Sequence, residues 1–380
     1  MRVISLLAAA AALAACDDGA ATSKTGAEAT PPTSPGAAAS AVEAAPAVRP
    51  EIREFRDWRA VCDNGNACVA WTGSNEGGWI RIGMEAGPDA RPTVVASEGF
   101  EGADGPSMVK LKIDGREYPW RGGPQDAANA DAGELRTRNI LAALAAARSV
   151  SLVLGDRTVE VPASGASATL LWIDERQGRL GTTTALLRKG DRPASAVPSA
   201  PALPRVRPAP AVDQKGFAAA NPMNDDPPAG LRVPASIEGL EAVKACRAEN
   251  NEYLDKAVLA ARLDASTVLW GIPCGSGAYN ATYVLYTARP DGTGVSLAEL
   301  PTWRPQGAPG ETDLWLVNPV YDPRAQTLTV FPRGRGLGDC GTIQTWTWTA
   351  DGFALSEERT MTDCQGMGSD RWPTTWRTRG

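Results

Sequence analysis

Apolar and polar positions alternate with a period of two along much of this chain, the spacing of strands that bury one face. Residues 55–62 alternate in this way, and Asn64-Gly65 follows as a two-residue hairpin turn. A second hairpin is sharper. Residues 109–113 meet 116–120 across Asp114-Gly115, which sets Leu111 opposite Tyr118 and Val109 opposite Trp120, with Lys112 facing Glu117 on the wet side. A third joins 150–154 to 157–161 across Gly155-Asp156. Residues 134–148 instead carry Leu135, Ile140, Leu141 and Leu144 at helical spacing, and 168–175 fit strand or helix equally. Further on, 237–263 is helical with a break near Asn250-Asn251. Strands are then expected at 283–286, 314–317 and 327–331. The last hairpin joins 343–349 to 353–359 across Asp351-Gly352. It places Trp348 opposite Leu355 on the face that holds Trp346, with Thr347 facing Ser356 and Thr345 facing Glu358 on the other.

These elements predict a mainly β fold with some α, in two β-rich domains of antiparallel hairpins at 53–191 and 231–380. Each carries one or more helices. Between them, 192–230 is rich in Pro and Ala, which favours an extended, semi-rigid linker. Residues 16–52 hold almost no large apolar side chain and read as a disordered tether that reaches about 30 Å. Ahead of it, Met1-Arg2 and the apolar run 3–12 form an export signal too short to span a bilayer. Leu13-Ala14-Ala15-Cys16 resembles the lipobox of bacterial lipoproteins. That resemblance implies cleavage after residue 15, a diacylglyceryl group on Cys16, and a lipid-anchored protein facing the periplasm of a Gram-negative bacterium. Asp17 resembles a signal for retention at the inner membrane, a rule weaker outside enterobacteria, so the membrane stays open.

Composition narrows the chemistry. The chain has no His, which removes Ser-His-Asp and Cys-His catalysis and His-ligated metal. A net charge of −6 with scattered Lys and Arg gives no footprint for nucleic acid. With Cys16 set apart, Cys62, Cys68, Cys246, Cys274, Cys340 and Cys364 remain, an even set suited to disulfides in an oxidising compartment. Six cysteines allow about fifteen connectivities. Grouping by domain cuts this down, with Cys62 and Cys68 alone in the first half and the other four in the second; the expected pairs are Cys62 with Cys68, Cys246 with Cys274 and Cys340 with Cys364, and a structural zinc site lacks any close C-x-x-C pair.

Several stretches together resemble one family. They are Phe55, Trp58 and Cys62; Pro273-Cys274-Gly275 with Gly277-Ala278-Tyr279-Asn280; and Gly334-Arg335-Gly336-Leu337-Gly338-Asp339-Cys340-Gly341, followed by Trp346, Trp348 and Cys364. This set is similar to the bacterial envelope proteins grouped as domain of unknown function 1176, and the front segment more loosely resembles the invasion-associated locus B proteins. That family carries no assigned activity, so the resemblance implies export and a shared fold and supplies no mechanism.

Gly336, Gly338 and Gly341 match a dinucleotide fingerprint in spacing, but a strand follows where a helix is needed to receive the pyrophosphate. The glycines instead suit tight turns, in a loop that presents Arg333, Arg335 and Asp339 for recognition of a ligand such as an anion. Ser107 and Lys110 match a serine acyl-transfer motif by chance, since strand residues three apart face opposite ways. Twelve Trp against five Phe suggest stacking surfaces. Trp315, Trp346 and Trp348 read as core, while Trp372 and Trp376, among Gly and Pro, are the expected exposed platforms. No catalytic residue, metal ligand or cofactor is nominated. The expectation is a non-enzymatic binding or interaction module whose partner is a glycan or another envelope protein. The alternatives are a carboxylate hydrolase of cell-wall or other polysaccharide and an inhibitor or accessory subunit.

Overall fold

Short strands joined by tight turns give a mainly β architecture with some α: among the described residues there are four antiparallel sheets, of five, five, five and four strands, and five helices. The computed structural model describes residues 48–97, 109–119, 130–154, 156–217, 228–250, 252–304 and 315–380. The signal segment, Cys16, most of the tether, Ser107 and Trp120 lie outside the described residues.

The first sheet is a meander of β1 (Glu51–Phe55), β2 (Trp58–Cys62), β3 (Cys68–Gly73), β4 (Trp79–Met84) and β5 (Pro92–Ser97). The single strand expected over 55–62 is broken by a turn at Arg56-Asp57, where Arg56 takes a left-handed φ of 59°. A non-glycine residue in that region gives no sequence signal. Asn64-Gly65 is not a two-residue turn either. It belongs to a five-residue loop in which the Asp63 carboxylate accepts the Gly65 and Ala67 amides at 2.8 and 2.9 Å. Cys62 and Cys68 face each other across the pair and close it as a disulfide.

The second sheet has the order β7-β6-β8-β9, from β6 (Val109–Ile113), β7 (Arg116–Pro119), β8 (Val150–Leu154) and β9 (Arg157–Val161). Leu111 pairs with Tyr118 and Lys112 with Glu117, as the pattern predicts. Asp114 and Gly115 both have positive φ, 45° and 80°, which matches the turn to the twist of the strands. Helix α1 (Ala130–Ala146) precedes β8, and the ambiguous stretch after β9 is helix α2 (Ala166–Arg176). Helices and both sheets enclose one core, with Trp58, Ile80, Ile82, Leu111, Ile140 and Leu170 at or near full burial.

In the second half, α3 (Ala235–Glu238), α4 (Glu241–Glu249) and α5 (Glu252–Lys256) occupy most of the helical expectation, but its end is β10 (Leu259–Arg262). β10 opens the third sheet, with β11 (Val268–Ser276), β12 (Ala281–Ala288), β13 (Ser296–Leu297) and β14 (Trp315–Val317). Cys246 of α4 is bonded to Cys274 of β11. The fourth sheet is a meander of β15 (Val320–Asp322), β16 (Thr327–Val330), β17 (Gly341–Thr349), β18 (Gly352–Met361) and β19 (Thr374–Arg377). The β17–β18 register differs from expectation: Trp348 pairs with Phe353 and Trp346 with Leu355, because the turn is Ala350-Asp351. A bulge between Thr345 and Trp346 then sets Thr345 opposite Glu357 and Gln344 opposite Glu358. Glu358, expected on the face opposite the tryptophans, is fully buried.

Two sheets are covered on both faces, which explains strands that read as continuous apolar runs. The third sheet packs Leu269, Tyr283 and Leu285 against the fourth and turns Trp270, Ile272 and Val284 toward Ile237 and Val243 of α3 and α4. The outer side of the first sheet, Val61, Trp71 and Trp79, is buried against Ile343, Met361, Met367 and Trp372 from the far end of the chain. Ala44–Gly380 accordingly form one unit. The described part of the Pro-rich stretch is docked: Val206 donates to the Arg379 carbonyl at 3.0 Å and Ala209 to that of Trp348 at 2.8 Å.

Candidate functional site

The two glycine-bearing stretches of the second half, some fifty residues apart in sequence, meet in the fold. The turn between β11 and β12 presents Tyr279 and Asn280; the connection from β16 to β17 holds Arg333 to Cys340. Asn280 clamps Arg333 from both sides, its amide donating to the Arg333 carbonyl at 2.9 Å and its oxygen accepting the Arg333 amide at 3.2 Å. The Tyr279 hydroxyl donates to the Gly334 carbonyl at 3.2 Å. Asn318 completes the join, donating to Asn280 Oδ1 at 2.9 Å and to the Phe331 carbonyl at 3.1 Å.

The loop is fixed from beneath by a disulfide between Cys340 and Cys364 and by an ion pair. Arg335 Nε donates to Asp339 Oδ1 at 2.7 Å, its Nη2 to Oδ2 and to the Cys364 carbonyl, and Asp339 also accepts the Gly366 amide at 2.7 Å. Burial pushes the Asp339 carboxyl up, but the Arg335 guanidinium and the Gly366 amide outweigh it and hold it below its ordinary value. Gly341 is required by space: with φ of 136°, a Cβ there would overlap the Pro332 carbonyl oxygen. Gly341→Ala is therefore expected to cost more than about 1 kcal/mol and to lower the urea midpoint, whereas Gly352→Ala, with open space around it, should lose less.

The sequence-nominated residues divide. Arg333 is exposed, with its guanidinium 5.2 Å from the Phe331 ring. Arg335 and Asp339 neutralise each other, so neither is the open charged group expected for a ligand. Trp372 is 2% exposed, donates to the Met367 carbonyl at 2.9 Å and meets Phe331 edge-on. Trp376, partly buried, donates to the Leu355 carbonyl at 3.1 Å. The expectation of two exposed platforms is thus corrected: the Gly and Pro residues around them turn the chain back onto the first sheet and into β19, rather than releasing a tail.

Besides Arg333, the joined loops expose two large apolar side chains. Leu337 is 62% exposed and Tyr279 40%. Leu337 also forms the rim of a cleft of about 250 Å³, lined by Trp79, Asp339, Asp370 and Arg371 with Gly338, Gly366 and Gly368. Arg371 lies over the Trp79 ring at 5.6 Å. Two carboxylates line this cleft, but Asp339 is held ionised with both oxygens occupied, so it cannot serve as the proton donor that glycoside hydrolysis needs. Leu337 and Tyr279 carry no sequence signal as a surface pair, since apolar residues in a glycine-rich loop read equally well as buried.

The arrangement of joined loops, three disulfides and a mainly β body defines a class. The chain belongs to the DUF1176 family, proteins of unknown function, whose model matches residues 52–379. An uncharacterized relative from Escherichia coli (strain K12), YpfG, is 29% identical over 361 residues, spanning 87% of this chain and 94% of its own. No solved structure matches.

Proposed function

We propose that this chain is a lipid-anchored protein of the bacterial cell envelope, facing the periplasm, that acts as an interaction module for another envelope protein. The observation that carries the reading is the exposed pair Tyr279 and Leu337, beside Arg333, on a loop fixed by the Cys340–Cys364 bridge. A rigid exposed aromatic and aliphatic pair beside a cation is the composition of a protein-binding hot spot. The tryptophans nearest the loop, Trp79 and Trp372, are buried and offer no open indole face for a glycan. Three disulfides suit an oxidising compartment, and the lipobox ending at Cys16 supplies the anchor.

The test uses the full chain in cells. A photoreactive residue at position 337 is expected to give one discrete adduct with an envelope protein, lost on Arg333→Glu, while the same residue at position 241 on the exposed face of α4 gives none. Identical labelling at both positions, or none at 337, refutes the docking face. Cys16→Ser should move the protein from the membrane fraction to the soluble one; unchanged membrane association refutes the anchor.

A further inference from the structure

A second concavity, of about 370 Å³, lies in the first half and owes nothing to the joined loops. One wall is the β4–β5 connection with Asp89 and Arg91, another is α1 through Arg138, and a third is the segment after α2 that carries Lys189. Among the described residues of the lining, Asp89 is acidic and Arg91, Arg138 and Lys189 are cationic. Leu141 and Leu186 contribute apolar surface beside them.

Two of these walls are held by one buried polar network at the end of α2. Asp174, with no exposed surface, accepts the Leu186 and Leu187 amides at 2.7 and 3.0 Å, which fixes the segment leading to Lys189. Arg179, equally buried, donates to the Glu85 and Gly87 carbonyls at 3.0 and 2.7 Å and to Thr184 Oγ1 at 3.2 Å, which ties the β4–β5 connection to the same segment. Gln177 adds a bond to the Met84 carbonyl at 2.9 Å. Burying a carboxylate and a guanidinium is costly unless both are saturated with partners. Here they order two loops around a cavity. Among the described residues, no carboxylate comes within ion-pair distance of the Lys189 ammonium. Burial lowers that ammonium below its ordinary value, and the charge of Asp174 offsets this only in part.

We infer that this pocket binds a small organic oxyanion, a phosphomonoester or a carboxylate on a compact apolar group, with Lys189, Arg138 and Arg91 meeting the charge and Leu141 and Leu186 the apolar part. Guanidinium forks and an ammonium suit either oxyanion. The volume, at the small end for ligand pockets, suits a single ring or short chain.

The test is calorimetric titration of the disulfide-intact protein at low salt with phenyl phosphate, benzoate and inorganic phosphate. Saturable binding at one site per chain is expected for phenyl phosphate or benzoate, the tighter one naming the headgroup, with inorganic phosphate weaker than phenyl phosphate. Lys189→Gln, at an exposed side chain, should weaken binding about tenfold without moving the thermal midpoint, and Arg138→Gln should weaken it to a similar extent. Arg333→Gln, outside the pocket, should leave it unchanged. Absence of saturable binding by all three probes, or equal affinity in the Lys189 and Arg138 variants and the parent, overturns the inference and leaves the joined-loop reading untouched.

Discussion

Glu358→Ala is expected to lower the folding free energy by about 3–5 kcal/mol, read as a fall in the urea midpoint at unchanged slope. Glu358 has no exposed surface, and its two oxygens are saturated. Oε1 accepts the Trp303 indole at 2.9 Å and the Thr375 hydroxyl at 2.6 Å; Oε2 accepts Gln344 at 2.8 Å; Arg304 bridges both oxygens at 2.8 Å. Removing the carboxylate leaves the Arg304 guanidinium and two neutral donors, Trp303 and Gln344, without their acceptor, while the Thr375 hydroxyl keeps only the main-chain carbonyl of position 358 at 3.2 Å, and the lost partner costs more than the pair contributed. Glu358→Gln keeps the volume and one acceptor and should lose less. A loss under about 1 kcal/mol for the Ala variant, the range of exposed ion pairs, would contradict this account.

Replacing Cys340 and Cys364 together by Ala should cost about 3.5 kcal/mol by chain entropy for a sequence separation of 24. The matching change at Cys62 and Cys68, separated by 6, should cost about 2.4 kcal/mol. The ranking is the sharper claim. Equilibrium unfolding of both double variants under the same conditions checks it, and a larger loss for the short bridge would overturn it. The long bridge also anchors the Arg335–Asp339 pair through the Cys364 carbonyl, so proteolysis near Arg333 should quicken only in that variant.

Local features were the legible ones. The turn at Asp114-Gly115 fixed its own register, since two residues with positive φ leave the strands one way to pair. Each disulfide joins cysteines near in sequence, so grouping by half settled Cys62 with Cys68, and pairing neighbours chose among the three arrangements left to the other four. Illegible features depended on distant cover or on one inserted residue. Arg56 turns the chain without the glycine that would announce it. The bulge at Thr345 changes which β18 residues oppose β17 and accompanies the burial of Glu358. Trp372 looked free because its cover, from Phe331 and the first sheet, lies far along the chain. The candidate loop was found through its glycines, but its exposed members, Leu337 and Tyr279, were not, and the pocket near Lys189 had no motif to reveal it.

The shared cluster of Trp71 and Trp79 with Met361, Met367 and Trp372 sets an order of events as the ribosome delivers the chain amino end first. The indole of Trp71 must wait 292 positions for its hydrogen-bond acceptor, Asp363. Until then one side of the opening meander is wet and greasy, and a front half cannot mature alone in the way that separate units do during synthesis. The closing residues act as a keystone: whatever holds the nascent polypeptide must shelter that flank until they arrive.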